Sequence, residues 1–255
     1  MPRHFLEVSY KGTNYAGFQA QPNAITIQSE VEKAFNIFFP NLPSPLGGER
    51  LGMTGSSRTD AGVHALQNFF HFDWHEEFKQ DCIYNLNAIL PGDIVIKSIT
   101  QVADDAHCRF DATTRLYNYR IYNHKNPFIK DTAYFYPYPL NIPLLNGAAE
   151  ILKSYTNFTS FSKRNTQVKT FNCKILESHW YQKDELLIYE VRANRFLRGM
   201  VRALTATMLK VGRGKISMDE FKSIIESKDC TKAWFDTPAH GLFLVKVDYP
   251  ANKML

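Results

Sequence analysis

The sequence predicts an α+β chain built in two halves. Three observations carry that expectation: strand-like alternation and helix-like spacing succeed one another along the whole length; four of the twelve prolines (Pro127, Pro137, Pro139 and Pro143) mark a long crossover; and a comparable succession of elements lies on either side of it. A chain of 255 residues that is 44% hydrophobic and 22% charged has the make-up of one large or two modest folded domains. Two such halves would place a cleft between them, where binding sites are often found.

In the first half, residues 5–10 read as a strand and residues 11–15 as a turn. Ile27, Val31, Ala34, Phe35 and Phe38 then recur at helical spacing behind a Thr26 cap, and Pro40, Pro43, Pro45, Gly47 and Gly48 end that helix. Residues 67–74 form an aromatic-rich strand, 79–90 a helix and 93–102 a strand. Residues 113–122 alternate as a further strand, with Arg115, Tyr117, Tyr119 and Ile121 on one face. The second half reads as a helix at 144–155, strands near 169–180 and 185–193, two helices, and a closing strand at 241–249. The first of those two helices is expected over 196–211, because Leu197, Val201, Leu204, Met208 and Val211 form an apolar seam. Arg195, Arg198 and Arg202 would then line another flank as a rigid row.

Charge and cysteines narrow the function. No apolar run is long enough for a bilayer and the N-terminus has no apolar signal core, which points to the cytoplasm. Cys82, Cys108, Cys173 and Cys230 are widely spaced, as buried or free thiols are. The net charge is only +5, yet Arg192, Arg195, Arg198, Arg202, Lys210, Arg213 and Lys215 lie in one stretch without an acid. Such a concentration fits a localised polyanion site, and equally a solvated helix face. Guanidinium groups favour the RNA reading, since they grip phosphate with two prongs and stack on bases.

Residues 55–65 crowd small side chains around Arg58 and Asp60, so that a substrate can approach the carboxylate closely. An Asp in such a loop can cap a short helix starting at Ala61, with Arg58 as its ion-pair partner. Held ionised by an arginine, it can also be a nucleophile that needs neither metal nor organic cofactor. His71 and His75 offer the best metal reading, but on a strand they stand about 13 Å apart at the usual rise of ~3.3 Å per residue. Gly212-Arg213-Gly214-Lys215 lacks the spacing of a phosphate loop, and Ser56 and Ser57 lack that of a serine nucleophile.

In order along the chain stand Tyr10-Lys11-Gly12-Thr13, Gly17-Phe18-Gln19-Ala20-Gln21-Pro22, Arg58-Thr59-Asp60-Ala61-Gly62-Val63-His64-Ala65 and Leu86-Asn87 with Leu90-Pro91. Arg109-Phe110-Asp111-Ala112, Arg115-Leu116-Tyr117-Asn118-Tyr119, Phe158-Thr159-Ser160-Phe161, Phe196-Leu197-Arg198-Gly199-Met200-Val201-Arg202, Val211-Gly212-Arg213-Gly214 and Pro238-Ala239-His240-Gly241-Leu242 follow. This series resembles the TruA-type tRNA pseudouridine synthases over nearly the whole chain. Ser57 and the Ala106-His107-Cys108 stretch depart from the usual pattern without removing a chemical group.

The resemblance implies an isomerase that acts without cofactor on uridine in the tRNA anticodon stem-loop, at positions 38 to 40. It implies Asp60 as nucleophile, Arg58 as its positioning partner, Tyr117 as the aromatic that stacks on the target base and helps proton transfer, and Arg202 as an arginine near the carboxylate. Arg195 and Arg198 are left to the RNA backbone. Two ferredoxin-like halves with mainly antiparallel sheets, divided as 1–106 and 107–255 around a central catalytic cleft, and an obligate homodimer are further implications. A non-catalytic RNA-binding protein of the same fold is the alternative, and a metal-dependent nuclease a weaker third.

Overall fold

The computed structural model describes residues 1–39, 52–75, 78–79, 81–164 and 168–254. The proline- and glycine-rich break expected at 40–48 lies outside the described residues. In chain order the elements are β1 (Arg3–Tyr10), α1 (Ile27–Phe38), β2 (Thr54–Gly55), β3 (His64–Asp73), α2 (Cys82–Ile89), β4 (Ile94–Val102), β5 (Thr114–Tyr122), β6 (Tyr134–Phe135), α3 (Ile142–Ile151), β7 (Ile175–Lys183), β8 (Leu186–Ala193), α4 (Met200–Gly212), α5 (Met218–Glu226) and β9 (Leu242–Asp248). They form two compact units, Met1–Thr113 with Leu244–Leu255, and Thr114–Phe243.

The first unit has β1 between β4 and β3, antiparallel to both, with β2 and the end of β9 beside β3. Because Leu6 faces Phe70 and Val8 faces Asn68 across the ladder, the alternation of the two strands buries one shared face. Phe70 stacks on Phe18 at 4.5 Å, and Phe72 meets Phe35 of α1 edge-on at 5.6 Å. Ile27, Val31, Ala34 and Phe35, the helical period seen in the sequence, are the buried stripe of α1. Removing a fully buried ring such as Phe35 costs about 3–5 kcal/mol. Thr26 caps this helix as expected: its hydroxyl accepts the Ser29 amide while Ser29 Oγ accepts the Thr26 amide.

The resemblance implies a division at 106/107, whereas the compact units change at 113/114 and the last strand returns to the first unit. Residues 107–113 are tied there: the Tyr249 hydroxyl donates to the Cys108 carbonyl at 2.6 Å, and the Thr113 amide to the Asp248 carbonyl at 2.8 Å. These pairings join residues more than a hundred positions apart, beyond the reach of local periodicity.

The second unit orders β6, β5, β8 and β7, with β5–β8 and β8–β7 antiparallel and β6 parallel to β5. Tyr119, Tyr189 and Trp180 share one face across three strands, and Trp180 stacks on Tyr189 at 5.0 Å. Asn141 caps α3 by accepting the Leu144 amide, and Pro143, last of the crossover prolines, sits in the first turn, where a missing N–H costs nothing.

One sequence expectation is corrected here. Helix α4 begins at Met200 instead of Phe196, because Gly199 takes a left-handed φ of 74° and the Met200 amide closes a turn on the Leu197 carbonyl. Arg195 and Arg198 therefore lie in the connection between β8 and α4, and the helical row with Arg202 does not exist. The apolar seam is real, since Leu197, Val201, Leu204, Met208 and Val211 are all buried, but its period runs one residue group beyond the helix start. Inside α4, Thr205 and Thr207 are buried too, each donating its hydroxyl to the carbonyl four residues earlier at 2.8 Å.

Candidate active site

Residues 56–63 connect β2 to β3, with buried and exposed residues interleaved. Ser57 and Thr59 are buried, Arg58 is exposed and Asp60 is half-buried. Buried groups fix the backbone on both sides of Asp60. The Asn68 Nδ2 donates to the Ser57 carbonyl at 3.0 Å, the Phe18 amide to the Thr59 carbonyl at 3.1 Å, and the Val63 amide closes a turn on the Asp60 carbonyl at 3.2 Å. No helix starts at Ala61, so capping is not the task of Asp60.

The brace behind the loop is a polar network in an aromatic wall. Asn68 Oδ1 accepts the Ser56 hydroxyl at 2.7 Å and the Phe69 amide at 2.9 Å, while Nδ2 also donates to the Tyr10 hydroxyl. Tyr10 in turn meets the Thr59 hydroxyl at 2.8 Å. With both lone-pair positions and both N–H bonds of Asn68 used, this buried carboxamide is satisfied. Sequence reading passed over Asn68; its signal is a carboxamide directly ahead of Phe69, Phe70 and Phe72 in a strand.

The segment after β1 presses on the same loop. A Cβ on Gly12 would stand 2.0 Å from the Val63 carbonyl oxygen, and Gly17, at φ 106°, would place one 3.1 Å from that of Thr59. Only glycine permits these approaches. His64 is buried and its Nδ1 accepts the Gly12 amide at 3.0 Å, which assigns its ring proton to Nε2 and gives it a structural task.

His71 lies on β3, with Nδ1 3.2 Å from the buried Cys108 thiol; His75 lies beyond the strand end. Burial chiefly, with the neighbouring positive charge of Arg3, pushes the His71 pKa down to about 4. Among the described residues no group of three or more His, Cys, Asp or Glu is placed to hold a metal ion, and no helix is long and apolar enough to cross a membrane.

The other sequence-nominated residues belong to the second unit. Tyr117, on β5 opposite Val191, meets the Phe196 ring edge-on at 5.1 Å. Arg202, in the first turn of α4, donates through Nε at 2.9 Å and Nη2 at 2.6 Å to the Thr237 carbonyl, and the Thr237 hydroxyl donates back to the Arg202 carbonyl at 2.9 Å. Arg198 is exposed and Arg195 half-buried, and the Arg198 carbonyl accepts the Lys163 amide at 3.0 Å.

The chain thus combines mainly antiparallel strands and helices with a loop that holds a partly exposed Asp60 on braced backbone. Comparison with known proteins gives the family. Residues 148–250 match the family described as tRNA pseudouridine synthase. A tRNA pseudouridine synthase A of Parabacteroides distasonis is 43% identical, over 98% of this chain and 97% of its own. The protein of the same name from Bacteroides fragilis is 44% identical over 97% and 96%, and that of Dictyoglomus thermophilum 39% over 96% and 98%. The chain belongs to the tRNA pseudouridine synthase A family, and is an isomerase.

Proposed function

We propose that this enzyme converts uridine to pseudouridine in the anticodon stem-loop of tRNA, at positions 38 to 40, with Asp60 as nucleophile and no cofactor. The observation that carries the reading is the loop itself: backbone on both sides of Asp60 is tied into a buried network while the residue stays partly exposed. Rigid presentation of a nucleophile is what covalent catalysis needs.

A stacked uridine must first leave its stack, at a cost of a few kcal/mol. Tyr117 offsets it by stacking on the extruded base, a contact worth about 1–3 kcal/mol per base. Asp60 then attacks C1′ or C6, or assists a glycal route. In each, the N1–C1′ bond breaks, the uracil rotates, a C5–C1′ bond forms and the C5 proton is lost while N1 regains one. Atoms balance without a co-reactant. Arg58 positions the carboxylate, Arg202 serves the substrate site, and Arg195 and Arg198 meet backbone phosphates, which need cations but no helical row.

Ferredoxin-like halves are supported by the first unit, whose strands run β4-β1-β3-β2 with helices after β1 and β2–β3. The working form we propose is a cytoplasmic homodimer. Wild type and Asp60→Asn, given unmodified tRNA transcript in chelator, test the reading by carbodiimide primer extension. Pseudouridine in the anticodon arm from wild type alone is expected; tight tRNA binding with no product from either would instead make the chain an RNA-binding protein.

A further inference from the structure

Beside the loop that carries Asp60 lies a recess of about 110 Å³. Its walls include Phe18, Gln19, Thr54, Gly55, Arg58 and Arg109. Among the described residues lining it there is no acid, whereas two are arginines brought together from positions far apart in sequence. Drug-sized pockets start near 300 Å³, and a water takes about 30 Å³. The space therefore suits a compact group and not a base with its ribose.

The backbone around Arg109 is anchored as firmly as that around Asp60. The His107 amide donates to Asp111 Oδ2 at 2.7 Å and the Asp111 amide to the His107 carbonyl at 3.0 Å, which closes a turn around residue 109. The Arg109 amide donates to His107 Nδ1 at 3.2 Å. Cys108, next to it, is clamped on three sides: its thiol donates to the Thr54 carbonyl at 3.1 Å, its amide to His71 Nδ1 at 3.3 Å, and its carbonyl accepts Tyr249 at 2.6 Å. Arg109 itself is exposed. Of the other lining residues Gln28 is spent on structure, accepting the Ala20 amide and donating to the Met53 carbonyl and Glu32, while Gln19 is exposed.

An arginine on the wall of a small recess with no acid among its described lining residues has the chemistry of a phosphate clamp, because a guanidinium can make paired charge-assisted hydrogen bonds to phosphate oxygens. We propose that Arg109 grips one backbone phosphodiester of the substrate RNA in this recess, beside the Arg58 that positions Asp60 and next to the nucleotide that reacts, making Arg109 a substrate-positioning residue. The inference rests on the RNA-modifying reading above. A phosphate held two residues from Asp60 fixes the strand while its neighbouring nucleotide leaves the stack, so the clamp sets the register of the reaction.

Arg109→Gln and Arg109→Lys, with wild type, test it on an anticodon stem-loop oligonucleotide carrying single methylphosphonates placed one at a time around the target. In wild type one methylphosphonate is expected to weaken binding about tenfold; in Arg109→Gln the same substitution should have no further effect. The slope of log affinity against log salt should fall by about 0.7 to 0.9 in Arg109→Gln and stay unchanged in Arg109→Lys. KM should rise more than kcat falls. Thermal midpoints of both variants monitor folding, and the retained charge of Arg109→Lys separates loss of a phosphate contact from loss of structure. An unchanged salt slope in Arg109→Gln, or methylphosphonate effects identical in variant and wild type, overturns the clamp. Failure of wild type to form any pseudouridine would strike the underlying reading instead, so the two failures are distinguishable.

Discussion

Asn68 and Tyr10 meet behind the loop that carries Asp60, the carboxamide donating to the phenol oxygen at 3.1 Å, and through them two strands hold Ser56, Ser57 and Thr59. Asn68→Asp has almost the same shape but turns two donors into an acceptor, leaving the buried Ser57 carbonyl facing another oxygen. The expected cost is about 2–3 kcal/mol, that of stranding buried polar groups. Urea denaturation measures it. The pair acts as one unit, so Tyr10→Phe added to Asn68→Asp should cost clearly less than the two single losses together. If the losses add, the network does not brace the loop cooperatively.

Gly12→Ala is expected to be far more damaging than its size suggests. The added methyl would meet a backbone oxygen, Val63 O, which cannot swing aside as a side-chain tip can. About 3 kcal/mol, the upper end of ordinary overpacking, and a large loss of turnover should follow. Gly92→Ala is the control: nothing stands within 4 Å of its Cβ position, and a change within about 0.5 kcal/mol is expected. Equal thermal midpoints for the two variants would refute the close approach.

Much of this was legible in the sequence because it is local. The Thr26 cap, the buried stripe of α1 and the strand at β5 follow from local residue types and spacing, and each is present in the fold. What failed was of two kinds. The α4 start was misplaced because Leu197 extends the helical period past a glycine whose left-handed φ the period cannot register, and the supposed arginine row went with it. The return of β9 to the first unit and the role of Asn68 depend on partners far away in the chain. Small residues around Asp60 did announce a loop, but not that buried hydroxyls and a carboxamide would hold it.

Arg202 and Thr237 form a reciprocal clamp, guanidinium to carbonyl and hydroxyl to carbonyl, which ties the first turn of α4 to the segment ahead of Pro238. Arg202→Lys keeps the charge and loses the two-pronged geometry. A stability loss of about 1–2 kcal/mol and a fall of roughly tenfold in kcat/KM are expected, since a planar fork cannot be replaced by one ammonium. Thr237→Val, which removes only the returning hydroxyl, should cost about 1 kcal/mol. Chemical denaturation and pseudouridine formation by the same preparations check both, and a lysine variant indistinguishable from wild type would show that charge alone suffices.

The buried His71 makes stability depend on pH in one direction. Burial first, then the positive surroundings of His107 and Arg3, push its pKa to about 4, against the pull of Asp73 and Asp111, while the unfolded chain titrates near 6.5. Between those values the unfolded state binds the proton that the folded state refuses. The stabilising contribution is therefore complete above about pH 6.5 and is lost progressively as the pH falls towards 4. At about 1.4 kcal/mol per pKa unit, the loss by pH 5 is about 2 kcal/mol. His71→Gln removes this proton while His4, His107 and His240, all lowered by burial, remain to give a residual slope. Urea midpoints at pH 7.5 and pH 5 should accordingly fall further in wild type than in His71→Gln. Equal falls would place the acid sensitivity elsewhere, and would mean that the imidazole beside the Cys108 thiol accepts its proton in the folded chain.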